Sequence, residues 1–174
     1  VGHVLAGDQR FPAGNTTPPA TILQRLLARH LELGGDSAVL EASSHALDQH
    51  RLAGLAVDVA VFTNLTRDHL DYHGTLERYF EAKLRLFQDL REGSVAVIGI
   101  TGLEEERIRA LRAAAEAAGA RVVTYGFGSR ADLSAHVDAV HPGSVSLFLE
   151  GMGIPKTKVH LPLPGRHNVL NALA

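Results

Sequence analysis

The first clear apolar pattern is helical. Ile22, Leu23, Leu26, Leu27 and Leu31 recur at helical spacing within "NTTPPATILQRLLARHLELGG". Thr17 is a candidate cap there, Pro18 or Pro19 suits the first turn, and Gly34 suits the stop. "SAVLEAS" is a short apolar run and predicts a strand ending at Glu41. "VDVAVFTN" is nearly continuous in apolar residues, as expected of a parallel strand buried on both faces. "TLERYFEAKLRLFQDL" returns to the helical period. "SVAVIGI" predicts a strand, "LEEERIRALRAAAEAAG" a helix closed by Gly119, and "ARVVTYGF" another strand. From about residue 132 the texture changes to alternation broken by turns, which predicts antiparallel strands. The opening "VGHVLAGDQRFPAG" shows no strand-and-cap beginning, and the last residues, "HNVLNALA", stop inside a helical pattern. The expected class is α/β: a mostly parallel sheet flanked by helices, with antiparallel strands appended near the C-terminus. No internal repeat or low-complexity linker interrupts it.

Composition narrows the possible partners. The 174 residues suit one domain with a real core and are few for two. The formal net charge is -2 and no long run carries one sign, which argues against nucleic acid or an anionic membrane as a partner. Without cysteine there is no disulfide framework and no thiolate chemistry, in keeping with a reducing cytoplasm. No apolar run approaches the roughly 20 residues of a membrane span, and the opening does not read as a signal peptide.

Ligands of such sheets bind at the carboxyl ends of strands. Glu41 and Ser43 follow one predicted strand and Asn64 the next. "TNLTRDHLDYHG" crowds His69, His73, Asp68 and Asp71 into the loop after that second strand. The four-residue histidine spacing would hold a metal on a helix, but on a loop it says little, and the glutamate of a zinc motif is absent. Asp71 equally suits a turn cap. Lys83 lies within the apolar stripe of Leu76, Tyr79, Phe80, Leu84 and Phe87, so it must snorkel, pair with an acid or lose its charge. The plain reading is a stem along the core with its ammonium at the rim. The sharper reading is a functional, modified lysine near Glu41 and the histidines. Glu41 is either a strand-end carboxylate or an oxygen ligand for a hard cation such as magnesium. In "EASSHALDQHR", Ser43 is either a ligand contact or a helix cap, and Arg51 either a surface charge or a fork for carboxylate or phosphate. A serine hydrolase is disfavoured, because Ser44 and His45 are adjacent and no G-x-S-x-G elbow is present. A G-x-x-x-x-G-K-[ST] phosphate loop is also absent.

"NTTP", "LEASSHALDQHRL", "VDVAVFTNLTRDHLDYHGTLERYFEAKLRLF" and "LPGRHNVLNALA" together resemble the Mur ligase family, in order and across nearly the whole chain. The resemblance implies the central ATP-binding domain of a three-domain, cytoplasmic, monomeric ligase of peptidoglycan synthesis. Its reaction would join a diamino acid, meso-diaminopimelate or L-lysine, to UDP-N-acetylmuramoyl-L-alanyl-D-glutamate through an acyl phosphate, with ATP and Mg2+. The same resemblance makes Lys83 a carbamylated lysine, with catalytic roles for Lys83 and His69. It assigns Glu41, His69 and Lys83 to the metal. It assigns Asn15, Thr16, Thr17, Ser43, Gln49 and Arg51 to the muramoyl substrate, and Asn64, Asn168 and Asn171 to the nucleotide. It also implies that residues 1–174 are incomplete. The phosphate loop is expected upstream, and the N-terminal uridine-binding and C-terminal amino-acid-binding domains are expected outside the chain. The isolated chain is therefore expected not to turn over ATP. "VIGITG" departs from the asparagine and paired aspartates usual in the family, which puts one nucleotide contact in question. The alternatives are a ligase that extends folate with glutamate, which shares the architecture, and a non-catalytic module that kept the fold.

Overall fold

The computed structural model describes residues 3–6, 9–12, 14–66, 68–128 and 130–174. The chain forms two compact units that interleave in sequence: residues 1–56 with 67–86, and residues 57–66 with 87–174.

The second unit holds a six-stranded sheet in the order β3-β4-β5-β6-β7-β8. The strands β3 (Val59–Phe62), β4 (Val95–Gly99), β5 (Arg121–Phe127) and β6 (Leu133–His141) pair in parallel. β7 (Ser144–Gly151) and β8 (Ile154–Leu161) then pair antiparallel. The expected architecture of parallel strands followed by antiparallel ones is what the sheet shows. One detail differs. β3 buries Ala60 and Phe62 but leaves Val59 54% exposed, so it is buried on one face rather than two. It ends the strand order, and the described residues cover only one of its faces.

Helix α5 (Glu105–Ala117) connects β4 to β5 and brings Leu111 and Ala115 into the core with Ala96 and Ile98 of β4. Phe62 and Phe87 meet edge to face at 6.1 Å. A second apolar cluster joins Ala135, Val145 and Leu147 of β6 and β7 to Val169 of the terminal helix α6 (Arg166–Leu173). Gly99, in the "VIGITG" stretch, has a packing reason. A Cβ there would lie 2.9 Å from the Thr63 carbonyl and 2.9 Å from the Tyr125 ring, closer than real contacts allow.

The first unit is built differently. β1 (His3–Ala6) and β2 (Gln9–Pro12) pair antiparallel, where no strand was expected from the opening sequence. Runs of four residues are too short for a readable period. α1 (Ala20–Glu32) starts one residue beyond the double proline, with Pro19 at the N-cap position and no side-chain cap. Thr17 is thus not its cap. The stop at Gly34 is as expected. Gly34 adopts φ +84°, and Gly34 N–H and Gly35 N–H donate to the carbonyls of Leu31 and His30, both at 2.9 Å. "SAVLEAS" is the clear departure. Residues 35–43 form no ladder, and Val39 is fully exposed. Apolar composition predicts a strand only where a neighbour supplies its hydrogen bonds, and no described strand pairs with this segment. Two short helices, α2 (Ser44–Asp48) and α3 (Leu70–His73), and most of α4 (Leu76–Gln88) complete the unit.

Candidate active site

The residues the resemblance assigns to substrate and metal collect in the first unit, and backbone geometry sets several of them in place. Ser43 is the N-cap of α2, its hydroxyl accepting from Ala46 N–H at 3.3 Å. Its own N–H donates to Thr17 Oγ1 at 3.1 Å, and Thr17 Oγ1 donates to the Glu41 carbonyl at 2.6 Å. Thr17 is buried, so these bonds satisfy a hydroxyl that water does not reach. They tie the 14–17 loop to the segment carrying Glu41 and Ser43. Asn15 and Thr16 lie in that loop, Asn15 exposed and Thr16 half-buried.

Lys83 is half-buried on α4. Burial pushes its proton affinity down from that of a free lysine, and the carboxylates of Glu41 and Asp68 partly oppose the shift. Glu41 and Lys83 are thus within electrostatic reach of one another, although 42 positions separate them in sequence. The ammonium lies 5.1 Å from the Tyr79 ring centroid. His69 meets the same ring edge-on at 6.0 Å, so His69 and Lys83 share a neighbour. His69 holds a left-handed backbone, φ 55°, unusual for a residue with a Cβ. Asp68 Oδ1 accepts from the His69 N–H at 2.8 Å, which helps hold this turn. His73 has a different place. It is buried, its Nε2 is 3.0 Å from Ser44 Oγ, and burial lowers its proton affinity. His69 and His73 therefore do not act as a helical pair of metal ligands.

Among the described residues, no group of three His, Asp or Glu side chains converges to hold a metal. Glu41 and His69 supply one oxygen and one nitrogen donor. A carbamate on Lys83 would add oxygen donors, which suits the preference of magnesium. A lysine with weakened proton affinity favours that modification, because CO2 adds only to the neutral amine and a proton leaves as the N–C bond forms. The donor set thus fits magnesium with Lys83 modified, and is incomplete without that modification.

Just beyond α2 in sequence, Arg51 donates through Nε and Nη2 to Gln49 Oε1 at 3.0 and 2.6 Å, and through Nη1 to the Thr17 carbonyl at 2.7 Å. Three of its five N–H groups are thereby engaged, leaving donors for an anion. Thr17, Ser43, Gln49 and Arg51 therefore form one bonded set. Its supports were not legible in the sequence: Gln49 Nε2 donates to Tyr72 OH at 3.2 Å, Tyr72 OH donates to Asp48 Oδ2 at 3.0 Å, and Arg85 Nη1 donates to Asp48 Oδ1 at 2.8 Å. Tyr72 lies within "TRDHLDYHG" and Asp48 within "HALDQHR", but their contacts span more than twenty positions and no local spacing announces them.

Asn64, Asn168 and Asn171 lie in the second unit. Asn64 is exposed just beyond β3. Asn168 and Asn171 are on α6, and Asn168 Nδ2 donates to the Pro164 carbonyl at 2.7 Å. The same unit carries an open cleft of about 470 Å3 at the ends of β4 and β5, lined in part by Thr101, Arg109, Arg112 and Phe127 and by none of these asparagines.

The chain as a whole is similar to known proteins. Residues 2–174 match the Mur ligase middle domain. The chain is 39% identical over 181 residues to the UDP-N-acetylmuramoyl-L-alanyl-D-glutamate--2,6-diaminopimelate ligase of Geobacillus kaustophilus, covering 99% of this chain and 35% of that protein. It is 43% identical over 174 residues to the ligase of the same name from Xylella fastidiosa (strain Temecula1), covering 95% and 33%. A solved structure of a UDP-N-acetylmuramoyl-L-alanyl-D-glutamate--2,6-diaminopimelate ligase matches with TM-score 0.79 and 35% identity over 99% of this chain and 36% of that one. The MurF ligase of Thermotoga maritima in complex with ADP shares the fold at TM-score 0.62 and 20% identity, over 93% of this chain and 36% of that one. The chain spans about a third of the length of the curated relatives it matches.

Proposed function

This chain belongs to the Mur ligase family as its middle domain, and from that premise we propose that it serves a ligase joining 2,6-diaminopimelate to UDP-N-acetylmuramoyl-L-alanyl-D-glutamate. The observation that carries the reading is the grouping of Glu41, Asp68 and a half-buried Lys83, its proton affinity lowered by burial, in one unit with the bonded set of Thr17, Ser43, Gln49 and Arg51. An anion-binding set and a candidate metal set side by side suit a reaction that activates a carboxylate with ATP.

The proposed roles follow the chemistry of each group. Arg51 and Gln49, with Thr17 and Ser43, hold the muramoyl dipeptide, and Asn15 and Thr16 extend that contact from their loop. Lys83 carries a carbamate and, with Glu41 and His69, holds magnesium. Magnesium when bound offsets the charge on phosphate oxygens during transfer. Asn64, Asn168 and Asn171 contribute on the nucleotide side. ATP phosphorylates the dipeptide's free carboxylate, and the amine of diaminopimelate displaces phosphate to form the amide. We place this reaction in the cytoplasm and in a monomer. No helix of the described residues is long and apolar enough to cross a membrane.

The test is phosphate release by the intact ligase. Release should require ATP, the muramoyl dipeptide and diaminopimelate together, and fail when a folate replaces the dipeptide. Absence of release with all three present, or equal release with folate, would overturn the assignment.

A further inference from the structure

Resting on that reading of Gln49 and Arg51, we infer that Asp48, Tyr72 and Arg85 are positioning residues that fix the polarity of the substrate-binding pair. Donor and acceptor capacity sets the direction of each bond. Arg51 has no acceptor, so both its bonds to Gln49 require the amide oxygen to face it. The Gln49 amide nitrogen must then face Tyr72, which it does at 3.2 Å. That bond occupies Tyr72 OH as an acceptor, so the single phenolic hydrogen points elsewhere. It points to Asp48 Oδ2 at 3.0 Å. Asp48 must accept, which requires the ionised carboxylate, and Arg85 on α4 supplies the countercharge at 2.8 Å.

The relay thus has one self-consistent direction, from Gln49 through Tyr72 to Asp48, with Arg85 anchoring the far end. The proton affinity of Asp48 follows from it, and the packing of the Tyr72 ring agrees with it. The Tyr72 hydrogen bond is the largest cause holding the Asp48 carboxyl below its ordinary range, followed on the lowering side by Arg85. The Tyr72 ring is also fixed in place, its centroid 4.0 Å from that of His45. The three residues come from α2, α3 and α4, so the relay also links the helix of Lys83 to the substrate side, Arg85 lying two positions beyond Lys83.

Reversal of the relay has a definite consequence. In Asp48→Asn, the side-chain oxygen stays with Arg85 and the new amide nitrogen faces Tyr72. Gln49 is then the acceptor left for Tyr72 OH within the relay; donating to it turns the Gln49 amide over, and the NH2 group meets Arg51 donor to donor. Arg51 loses its two bonds to Gln49 and keeps the one to the Thr17 carbonyl.

The experiment is steady-state kinetics on the intact ligase with Asp48→Asn, Tyr72→Phe, Gln49→Ala, Arg51→Ala and the double variant Tyr72→Phe/Gln49→Ala. Asp48→Asn should raise KM for the muramoyl dipeptide about tenfold, the scale of one lost charge-assisted hydrogen bond at a half-exposed site. KM for ATP should change less than about twofold, and Asp48→Glu should recover part of the loss because it keeps an acceptor. The double variant should be no worse than Gln49→Ala alone, because Tyr72 acts through Gln49. Equal changes in both KM values, an unchanged dipeptide KM, or additive effects in the double variant would overturn the proposal. If Asp48→Asn lowers the melting temperature, the Tyr72→Phe cycle alone decides. Failure of the substrate reading looks different: Gln49→Ala and Arg51→Ala would then leave the dipeptide KM unchanged.

Discussion

The two units are stabilised by different means. The second rests on apolar burial: Ile98, Leu111, Val145 and Val169 are almost completely excluded from water, and a continuous ladder from β3 to β8 joins the strands. The first buries Leu23, Leu47, Tyr79 and Phe80, and with them Thr17, Ser44 and the ionisable His73, and side-chain hydrogen bonds cross between its helices. Apolar burial is non-directional and tolerates pH, whereas a polar network depends on protonation and on each partner being present. The proposed metal and substrate residues lie in the unit more sensitive to protonation.

The largest effects should separate the units. Lys83→Ala in the intact ligase should lower kcat at least about a hundredfold, the scale of losing a preorganised electrostatic group, while leaving the melting temperature near wild type. Steady-state assays and calorimetry on the same sample check both halves. In the second unit Leu111→Ala should instead cost about 2–5 kcal/mol of stability through the cavity it opens, measured by urea denaturation. Catalysis per folded molecule should persist in that variant.

Acid should sharpen the contrast. His73 has its proton affinity lowered by burial first and by His45 next among the lowering causes. The unfolded chain therefore takes up a proton that the folded chain resists, and stability falls as pH drops below about 6.5. Asp48, lowered chiefly by Tyr72, contributes stability above its unfolded value that is lost as pH falls through the folded one. Melting followed between neutral and mildly acidic pH should show the His73 loss first. His73→Gln should flatten that limb, and a limb unchanged by the substitution would contradict the assignment. The smallest effect belongs to the stop of α1. Gly34→Ala places a Cβ at φ +84° and should cost about 1 kcal/mol, visible as a modest shift in the denaturation midpoint.

The same contrast explains what the sequence revealed. β4, α5 and β5 were legible because each buries its own apolar period, and Gly34 because left-handed backbone favours glycine. "SAVLEAS" was misread as a strand because composition does not supply a neighbour. Thr17 was misread as a helix cap because its hydroxyl is used across 24 positions by the Glu41 carbonyl. Glu41, His69 and Lys83 stood out as residue types in unusual places, and the resemblance gave them roles. Asp48, Tyr72 and Arg85 stayed silent, since an aspartate ending a short helix and an arginine on an amphipathic one are ordinary until the fold joins them. The division into two units was equally hidden, because each is made of two separated segments.

The most direct test of the central claim, that burial keeps Lys83 ready to become an anionic ligand, is 13C NMR of the intact ligase with 13C-labelled bicarbonate and magnesium. The account predicts a carbamate resonance that is absent from Lys83→Ala and weakens as pH falls and the amine protonates. A spectrum with no such resonance at saturating bicarbonate, or one unchanged by Lys83→Ala, would contradict it.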